Sequence, residues 1–360
     1  MIIDIVLGKA EGRGGLEYVL TFVSQELTRK GHRVRVFQSS PPQYAEWANT
    51  LPEIYYYDPV ASGNLSSYEG EIDFFRYILG YRSLIDKMGA PDVILATHVP
   101  LFCLVARVAT SHLKNSPIIL SWMHASFPQF NGTEVLLQYC DGHLAISHGL
   151  GQSIKEKVNQ KSIVYYVGNP VDFRNTKLLP RVHNRLELLY IGRISNKEKR
   201  IDVLLQALSQ VTKTWHLTII GDGPDLIALQ QLATSLGIEK NIEWKGWQED
   251  PWKHVESASV LVLTSQFEPF GIILVEALAR GLPVISSRCD GPEDIVQDGE
   301  NGWLFDVGNV EQLRSIIQGI INVTLSLPTQ ESCKSTVERF RLENVVNVFE
   351  ASLFESVQKN

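Results

Sequence analysis

Two carboxylates eight residues apart, Glu268 and Glu276, stand in a run from Ser265 to Leu278 whose other members are mostly apolar. The run reads as the end of a strand at Thr264, a short loop presenting Glu268, and a helix starting near Gly271. The first N–H groups of a helix lack intrahelical partners, so such a start can hold a diphosphate. A carboxylate one and a half turns further in can accept hydrogen bonds from vicinal hydroxyls, such as those of a ribose. Without a ligand, Glu268 would be a charge at a helix N-terminus. Glu276 is harder to explain that way, because Leu274, Val275, Ala277 and Leu278 surround it and an acid in such company needs a partner.

A second cluster, Gly12, Arg13, Gly14 and Gly15, follows an apolar run at Ile2 to Leu7 and precedes a helical pattern. Glycines there let backbone N–H groups approach an anion at the positive end of a helix, although a plain tight turn needs the same residues. The spacing is not GxGxxG. A nicotinamide site would also want an acid at the end of the second strand, where Val36, Phe37, Gln38 and Ser39 supply none.

These residues need an alternating scaffold, and the sequence reads as one. Strands are predicted at Ile2 to Leu7, Val34 to Gln38, Val93 to Ala96, Ile118 to Trp122, His143 to Ile146 and Ile163 to Tyr166. Leu16, Val19, Leu20, Val23 and Leu27 recur at helical spacing over Gly15 to Lys30, with Gly31 as the C′ residue. From Val167 to Pro180 the pattern breaks into a linker. A second series follows, with strands at Leu186 to Ile191, Leu217 to Gly221, Ile242 to Lys245, Val260 to Thr264 and Val284 to Ser286. Its helices fall near Ile201 to Leu208, Asp225 to Leu236 and Gly271 to Arg280, and the tail from Thr329 to Val357 reads as helical. The class is α/β, as two doubly wound domains whose strand C-terminal edges would face a central cleft. The expected divisions are 1–170, 171–328, and a helical tail, 329–360, packing back toward the first domain.

The chain has 360 residues, 44% hydrophobic and 20% charged, with a net charge of -7. Residues 1–180 hold 16 basic and 16 acidic side chains and the remainder 17 and 24, so the acidity belongs to the second half. That balance disfavours nucleic acid as a partner. Met1 to Leu7 lacks the basic start of a signal peptide, and no window reaches the length of a transmembrane helix. Cys103, Cys140, Cys289 and Cys333 lie far apart, as reduced and mostly buried thiols would, and cytosolic residence is expected. No DxD pair and no His/Cys cluster offers a metal site. Arg29, Lys30, His32, Arg33 and Arg35 form a basic stretch that could give weak peripheral membrane contact through the N-terminal domain, or could be a solvated face.

The segment FEPFGIILVEALARGLPVISS resembles the signature of the retaining, nucleotide-sugar-dependent glycosyltransferases of GT-B type in family four. GRGGLE, YIGRISNKEKRID, HLTIIGDGP and DGENGWLF agree with it along nearly the whole chain. Within that family SWMHASF, HLAISHG, TWHLTIIGDG, EWKGWQEDPW and NGWLF look most like the lipopolysaccharide-core α-1,6-galactosyltransferases. The resemblance implies two Rossmann-like domains, the N-terminal one binding the acceptor and the C-terminal one the nucleotide sugar.

It also implies roles. Arg193 and Lys199 would clamp the donor diphosphate, where a guanidinium fork and an ammonium can neutralise the leaving group's charge. Many relatives have Gly directly after that lysine, whereas this chain has Arg200. Glu268 would contact the hexose and Glu276 the ribose. The Gly271, Ile272 and Ile273 backbone, beside Phe270, would take the phosphates. Gly14 and Gly15 would approach the reaction centre from the other domain, His124 would lie beside the donor sugar, and Trp247 with Trp244 would bracket a loop near the base. The other histidines, including His98, His143 and His148, read as structural, and most of the seven tryptophans as core. No cofactor and no metal is expected. The donor would be UDP-galactose or UDP-glucose and the acceptor a lipid-linked or oligosaccharide glycan, with action at the cytoplasmic face of the inner membrane. An exopolysaccharide or glycolipid transferase using another UDP-hexose shares these motifs. A nucleotide-sugar-binding subunit without catalysis would not need His124.

Overall fold

The computed structural model describes residues 1–58, 69–174, 176–181 and 185–359, so Asn175 of the expected linker lies outside the described residues. The chain divides into two units, Met1–Pro170 with Leu342–Asn360, and Val171–Arg341, and crosses between them twice. The tail therefore splits. Gln330–Ser335 and Glu338–Phe340 stay with the second unit, and only the helix Leu342–Gln358 joins the first. Its Phe349 is fully buried against the Trp122 ring at 4.9 Å, and its Glu350 accepts hydrogen bonds from Lys30 and His32.

The first unit is built on seven parallel strands, β1 (Ile2–Leu7), β2 (Arg33–Gln38), β3 (Ile54–Tyr56), β4 (Val93–Thr97), β5 (Ile118–Trp122), β6 (Gly142–Ala145) and β7 (Val164–Tyr166), in the order β3-β2-β1-β4-β5-β6-β7. The second has β8 (Leu186–Ile191), β9 (Trp215–Ile220), β10 (Ile242–Trp244), β11 (Val260–Leu263), β12 (Val284–Ser287) and β13 (Gly302–Phe305), in the order β10-β9-β8-β11-β12-β13. Every pairing in both sheets is parallel. A parallel sheet with helices on its faces buries its central strands completely, which is why β4 and β11 read as unbroken apolar runs. The strand order reverses between β1 and β4 in one unit and between β8 and β11 in the other. At such points the loops leaving neighbouring strands diverge and open a crevice at the carboxyl edge.

Beneath the first sheet's core, Arg35 donates to Asp4 at 2.6 Å and to the Gly89 carbonyl at 3.1 Å, while the Tyr81 hydroxyl donates to Asp4 at 2.8 Å. Desolvation outweighs these partners and pushes the Asp4 carboxyl up to about 6. Of the seven tryptophans, Trp47, Trp122, Trp215 and Trp303 are buried, whereas Trp244, Trp247 and Trp252 are not. The cysteines are free thiols, Cys103 and Cys333 buried. Among the described residues no helix is long and apolar enough to cross a membrane.

Candidate active site

In the second unit the loops leaving β8 and β11 are sewn together. After β8 the chain passes Gly192 and Arg193 into a one-turn helix, Asn196–Lys199. The Asn196 N–H donates to Asp225 at 2.6 Å, and the Asn196 side chain accepts from the Asp202 N–H at 3.0 Å. The GDGP turn packs directly beneath. A Cβ on Gly221 would stand 1.9 Å from the Gly192 carbonyl oxygen, and one on Gly223 would stand 2.2 Å from that of Ile194. Gly221→Ala is therefore expected to displace the Arg193 loop and cost about 2–4 kcal/mol of stability, read by denaturant unfolding of the variant beside the parent.

Across the switch point, the Thr264 hydroxyl donates to the Lys199 carbonyl at 2.8 Å, and the Gln266 N–H donates to that of Glu198 at 2.7 Å. This stitching brings together two residues 69 positions apart, and the Lys199 ammonium donates to Glu268 Oε2 at 2.7 Å. The Lys199 side chain is only 20% exposed and Glu268 is buried, so water screens the pair little. An ammonium has three donors, and one of them is engaged by Glu268. Of its neighbours, Lys197 is exposed and Arg200 is held by Asp202 at 3.0 Å and by Gln266 at 3.3 Å. Arg200 has φ 46°, ψ 45°, the left-handed conformation that glycine adopts most easily. Its side-chain bonds support that backbone here. Arg193 is 64% exposed at the loop tip, 4.0 Å from Glu198.

Glu268 is followed by Phe270 and by Gly271 at φ 95°, from which the helix Ile272–Ala279 starts with no side-chain cap. Its first N–H groups are open to an anion. The sequence reading puts Phe270 beside the phosphate-binding backbone, and its ring is turned into the second unit's core. The side chain is 2% exposed and packs edge-on against Phe340 at 5.2 Å. A Cβ on Gly291 would lie 2.2 Å from the Phe270 backbone. Phe270 anchors the loop, and the backbone after it faces outward on half-buried Ile272 and Ile273.

Glu276 is half-buried on that helix and accepts from the Trp252 indole N–H at 2.9 Å. Burial raises its pKa above the ordinary value, opposed by the Trp252 bond and by the charge of Arg280. Trp247, at 48% exposure, lies on the same β10–β11 connection. Sequence reasoning singled out Trp244 and Trp247 there and passed over Trp252, whose partner is 24 residues away.

In the first unit the carboxyl edge carries different chemistry. The Gly12 N–H donates to Glu17 Oε1 at 3.1 Å, and a Cβ on Gly14, at φ 147°, would crowd Glu17 Oε2 at 2.9 Å. A buried carboxylate of the chain itself thus serves the glycine loop, where the sequence had suggested an anion. A negative charge beside Gly14 and Gly15 opposes phosphate and suits hydroxyl groups.

His124 follows β5, with its ring 4.8 Å from that of Trp122, and its Nε2 is buried without a partner. Burial, and then the nearby His98, pull its pKa down to about 3. It is a neutral imidazole at working pH, able to bind hydroxyls and unable to act as a cationic acid. His98, which the sequence reading left as structural, follows β4 with φ 75° and a buried, unpartnered Nδ1. A bulky residue held in that region signals strain at a site, which no sequence pattern announces. His143 remains structural, sharing a 2.7 Å hydrogen bond with Ser121, and burial lowers it to about 4. Histidines that charge in the unfolded chain near 6.5 and stay neutral when folded contribute stability that is complete above that value and falls as pH drops below it. The thermal midpoint should therefore drop between pH 7 and pH 5, and less steeply in His143→Gln.

Each residue of the basic stretch offered for membrane contact has a carboxylate partner within the first unit, with Arg29 and Arg33 still exposed. Lys30 and His32 bond Glu350, Arg29 bonds Glu26 and Arg33 bonds Glu53, while Arg35 is fully buried on Asp4. A run of like charges in sequence pointed to a patch, but their partners lie up to 320 residues away. Among the described residues no group of three His, Cys, Asp or Glu side chains could hold a metal ion.

Residues 174–338 match the family described as glycosyl transferases group 1, and residues 13–175 match glycosyltransferase family 4. A lipopolysaccharide 1,6-galactosyltransferase of Salmonella typhimurium is 32% identical over 280 residues, covering 76% of this chain and 77% of its own. The Escherichia coli protein of the same description is 34% identical over 227 residues, 61% of this chain and 63% of its own. Among solved structures, the lipopolysaccharide outer core galactosyltransferase WaaB in its apo form superposes with a TM-score of 0.86 at 26% identity, covering 99% of both chains. Anabaena Alr3699/HepE in complex with UDP shares the fold, with a TM-score of 0.80 at 19% identity over 99% of this chain and 100% of its own.

Proposed function

The chain belongs to the family four glycosyltransferases of GT-B fold, and from that premise we propose that it moves a hexose from a UDP-sugar, with galactose as the first choice, onto a hydroxyl of the lipopolysaccharide core. The observation that carries the reading is the Lys199–Glu268 pair at 2.7 Å, set one turn from an uncapped helix start at the β8/β11 switch point. A cation, a carboxylate and open backbone N–H groups meet there, as a diphosphate bonded to a polyhydroxylated sugar requires.

In this reading Lys199, Arg193 and the N–H groups of Gly271, Ile272 and Ile273 neutralise the diphosphate. Glu268 binds hydroxyls of the hexose and Glu276 those of the ribose, and Trp247 lies near the base. His124 offers a neutral ring nitrogen to the transferred sugar, and Gly14 and Gly15 with Glu17 receive hydroxyl groups. The bond between the anomeric carbon and the diphosphate oxygen breaks while the acceptor oxygen attacks from the same face. The acceptor's proton passes to the departing phosphate, so the product keeps the donor's anomeric configuration. The cationic groups of the chain supply the leaving-group stabilisation, without a metal or an added cofactor. The chain acts at the cytoplasmic face of the membrane that holds its lipid-linked acceptor.

Salmonella and Escherichia relatives whose names specify lipopolysaccharide 1,6-galactosyl transfer support the choice of galactose, and the outer core galactosyltransferase of like fold supports the core acceptor. Mass spectrometry of truncated lipopolysaccharide incubated with UDP-galactose, UDP-glucose, GDP-sugars and ADP-sugars tests it. The expected result is one added hexose with UDP-galactose in preference to the others. Transfer from a GDP- or ADP-sugar alone, or to no lipopolysaccharide acceptor, would overturn it.

A further inference from the structure

Glu276 is the one acid of the otherwise apolar helix Ile272–Ala279, and what holds its carboxylate still is an indole. The torsion that turns a carboxylate about its last carbon–carbon bond is broad, so an unrestrained Glu276 would present its oxygens over a wide arc. The Trp252 Nε1–H donates to Oε2 at 2.9 Å, and among the described residues no hydrogen bond engages Oε1. Indole nitrogen only donates, so the assignment of donor and acceptor has no alternative.

Trp252 is itself fixed on two sides. It lies in the short turn Pro251–His254, entered through a proline and closed by the Lys245 ammonium donating to the His254 carbonyl at 3.0 Å. The Arg280 guanidinium lies over its ring at 4.1 Å, and the same guanidinium donates to the Glu276 main-chain carbonyl at 2.9 Å. Arg280 is one turn beyond Glu276 and could have paired with its carboxylate. It stacks on the indole instead, leaving that carboxylate with one neutral donor and one open oxygen.

We propose that Trp252 is a positioning residue for the nucleotide: its indole N–H orients Glu276 so that Oε1 faces the ribose hydroxyls, with Arg280 holding the indole in plane. This rests on the assignment of Glu276 to the ribose made above. It places part of the enzyme's selectivity for a ribonucleotide donor in a residue that does not touch the hydroxyls.

The test is calorimetric titration of the full chain with UDP, 2′-deoxy-UDP and 3′-deoxy-UDP, in the parent, Trp252→Phe and Trp252→His, with donor kinetics on each. Trp252→Phe keeps a smaller aromatic face for Arg280 and removes the donor. The parent should bind UDP about tenfold or more tighter than at least one deoxy analogue, the range of one lost hydrogen bond to a charged group. In Trp252→Phe that ratio should fall below about twofold. The donor KM should rise about fivefold to tenfold, and kcat should stay within about threefold of the parent. Because the lost N–H also favoured the ionised carboxylate, the acid limb of kcat/KM should move to higher pH. Trp252→His, which keeps a ring N–H, should recover part of the discrimination, and it carries the test if the Phe variant does not fold. Full discrimination in both variants would overturn the role of Trp252 alone. A parent that does not distinguish UDP from either deoxy analogue would overturn the ribose assignment, and this proposal with it.

Discussion

Lys199→Ala should lower turnover at saturating donor by about 100-fold or more, the loss seen when one preorganised donor to a developing charge is removed, or about 2.7 kcal/mol of barrier. Two losses coincide in that substitution. The departing diphosphate forfeits the ammonium that neutralises it, and Glu268, buried and bonded to Lys199 at 2.7 Å, is left as an uncompensated carboxylate beside the reacting sugar. Lys199→Arg retains the charge but puts a planar fork where a compact ammonium fits, so it should recover only part of the rate. Steady-state kinetics at saturating donor, with circular dichroism to verify folding, read the effect. Turnover within threefold of the parent would remove Lys199 from the chemistry.

Glu268→Gln should act mainly on turnover, by about 100-fold, whereas Glu276→Gln should act mainly on donor KM. The two carboxylates share one loop–helix segment and differ in what they face. Glu268 is bonded to Lys199, and on the proposed reading it lies where positive charge grows on the sugar in the transition state, so its charge would count more there than in the ground state. Glu276 sits on the helix held by Trp252, and a ribose contact is felt equally in ground and transition states. Swapped effects, with Glu276→Gln abolishing turnover at saturating donor, would reverse the assignment.

Much of this arrangement was legible in the sequence because it is local. The strand–loop–helix around Glu268, the helix after Gly14 and the β-branched strands each follow from periodicity and glycine placement within about fifteen residues. What stayed hidden was held by distant partners. Nothing near Lys199 in sequence announces Glu268, and nothing near Trp252 announces Glu276. The family resemblance gave each carboxylate and cation its role without saying which of them touch. The edge strands Ile54–Tyr56 and Gly302–Phe305 are absent from the sequence reading, although strands as short as Val164–Tyr166 and Ile242–Trp244 are present in it. Of the basic run from Arg29 to Arg35, only Arg29 has a local partner, Glu26; Lys30, Arg33 and Arg35 pair with carboxylates distant in sequence. His98 carries no signal at all in the sequence, and its strained backbone and unpartnered ring nitrogen exist only in the folded chain.

On the proposed reading the chain's own cations and helix start hold the donor's diphosphate in the second unit. Calorimetric titration of UDP into the protein in EDTA, for the parent and for Lys199→Ala, tests it most directly. The parent should bind UDP saturably without divalent ions, and the variant at least tenfold more weakly. UDP binding that requires added Mg²⁺ or Mn²⁺, or that is unchanged in Lys199→Ala, would contradict it.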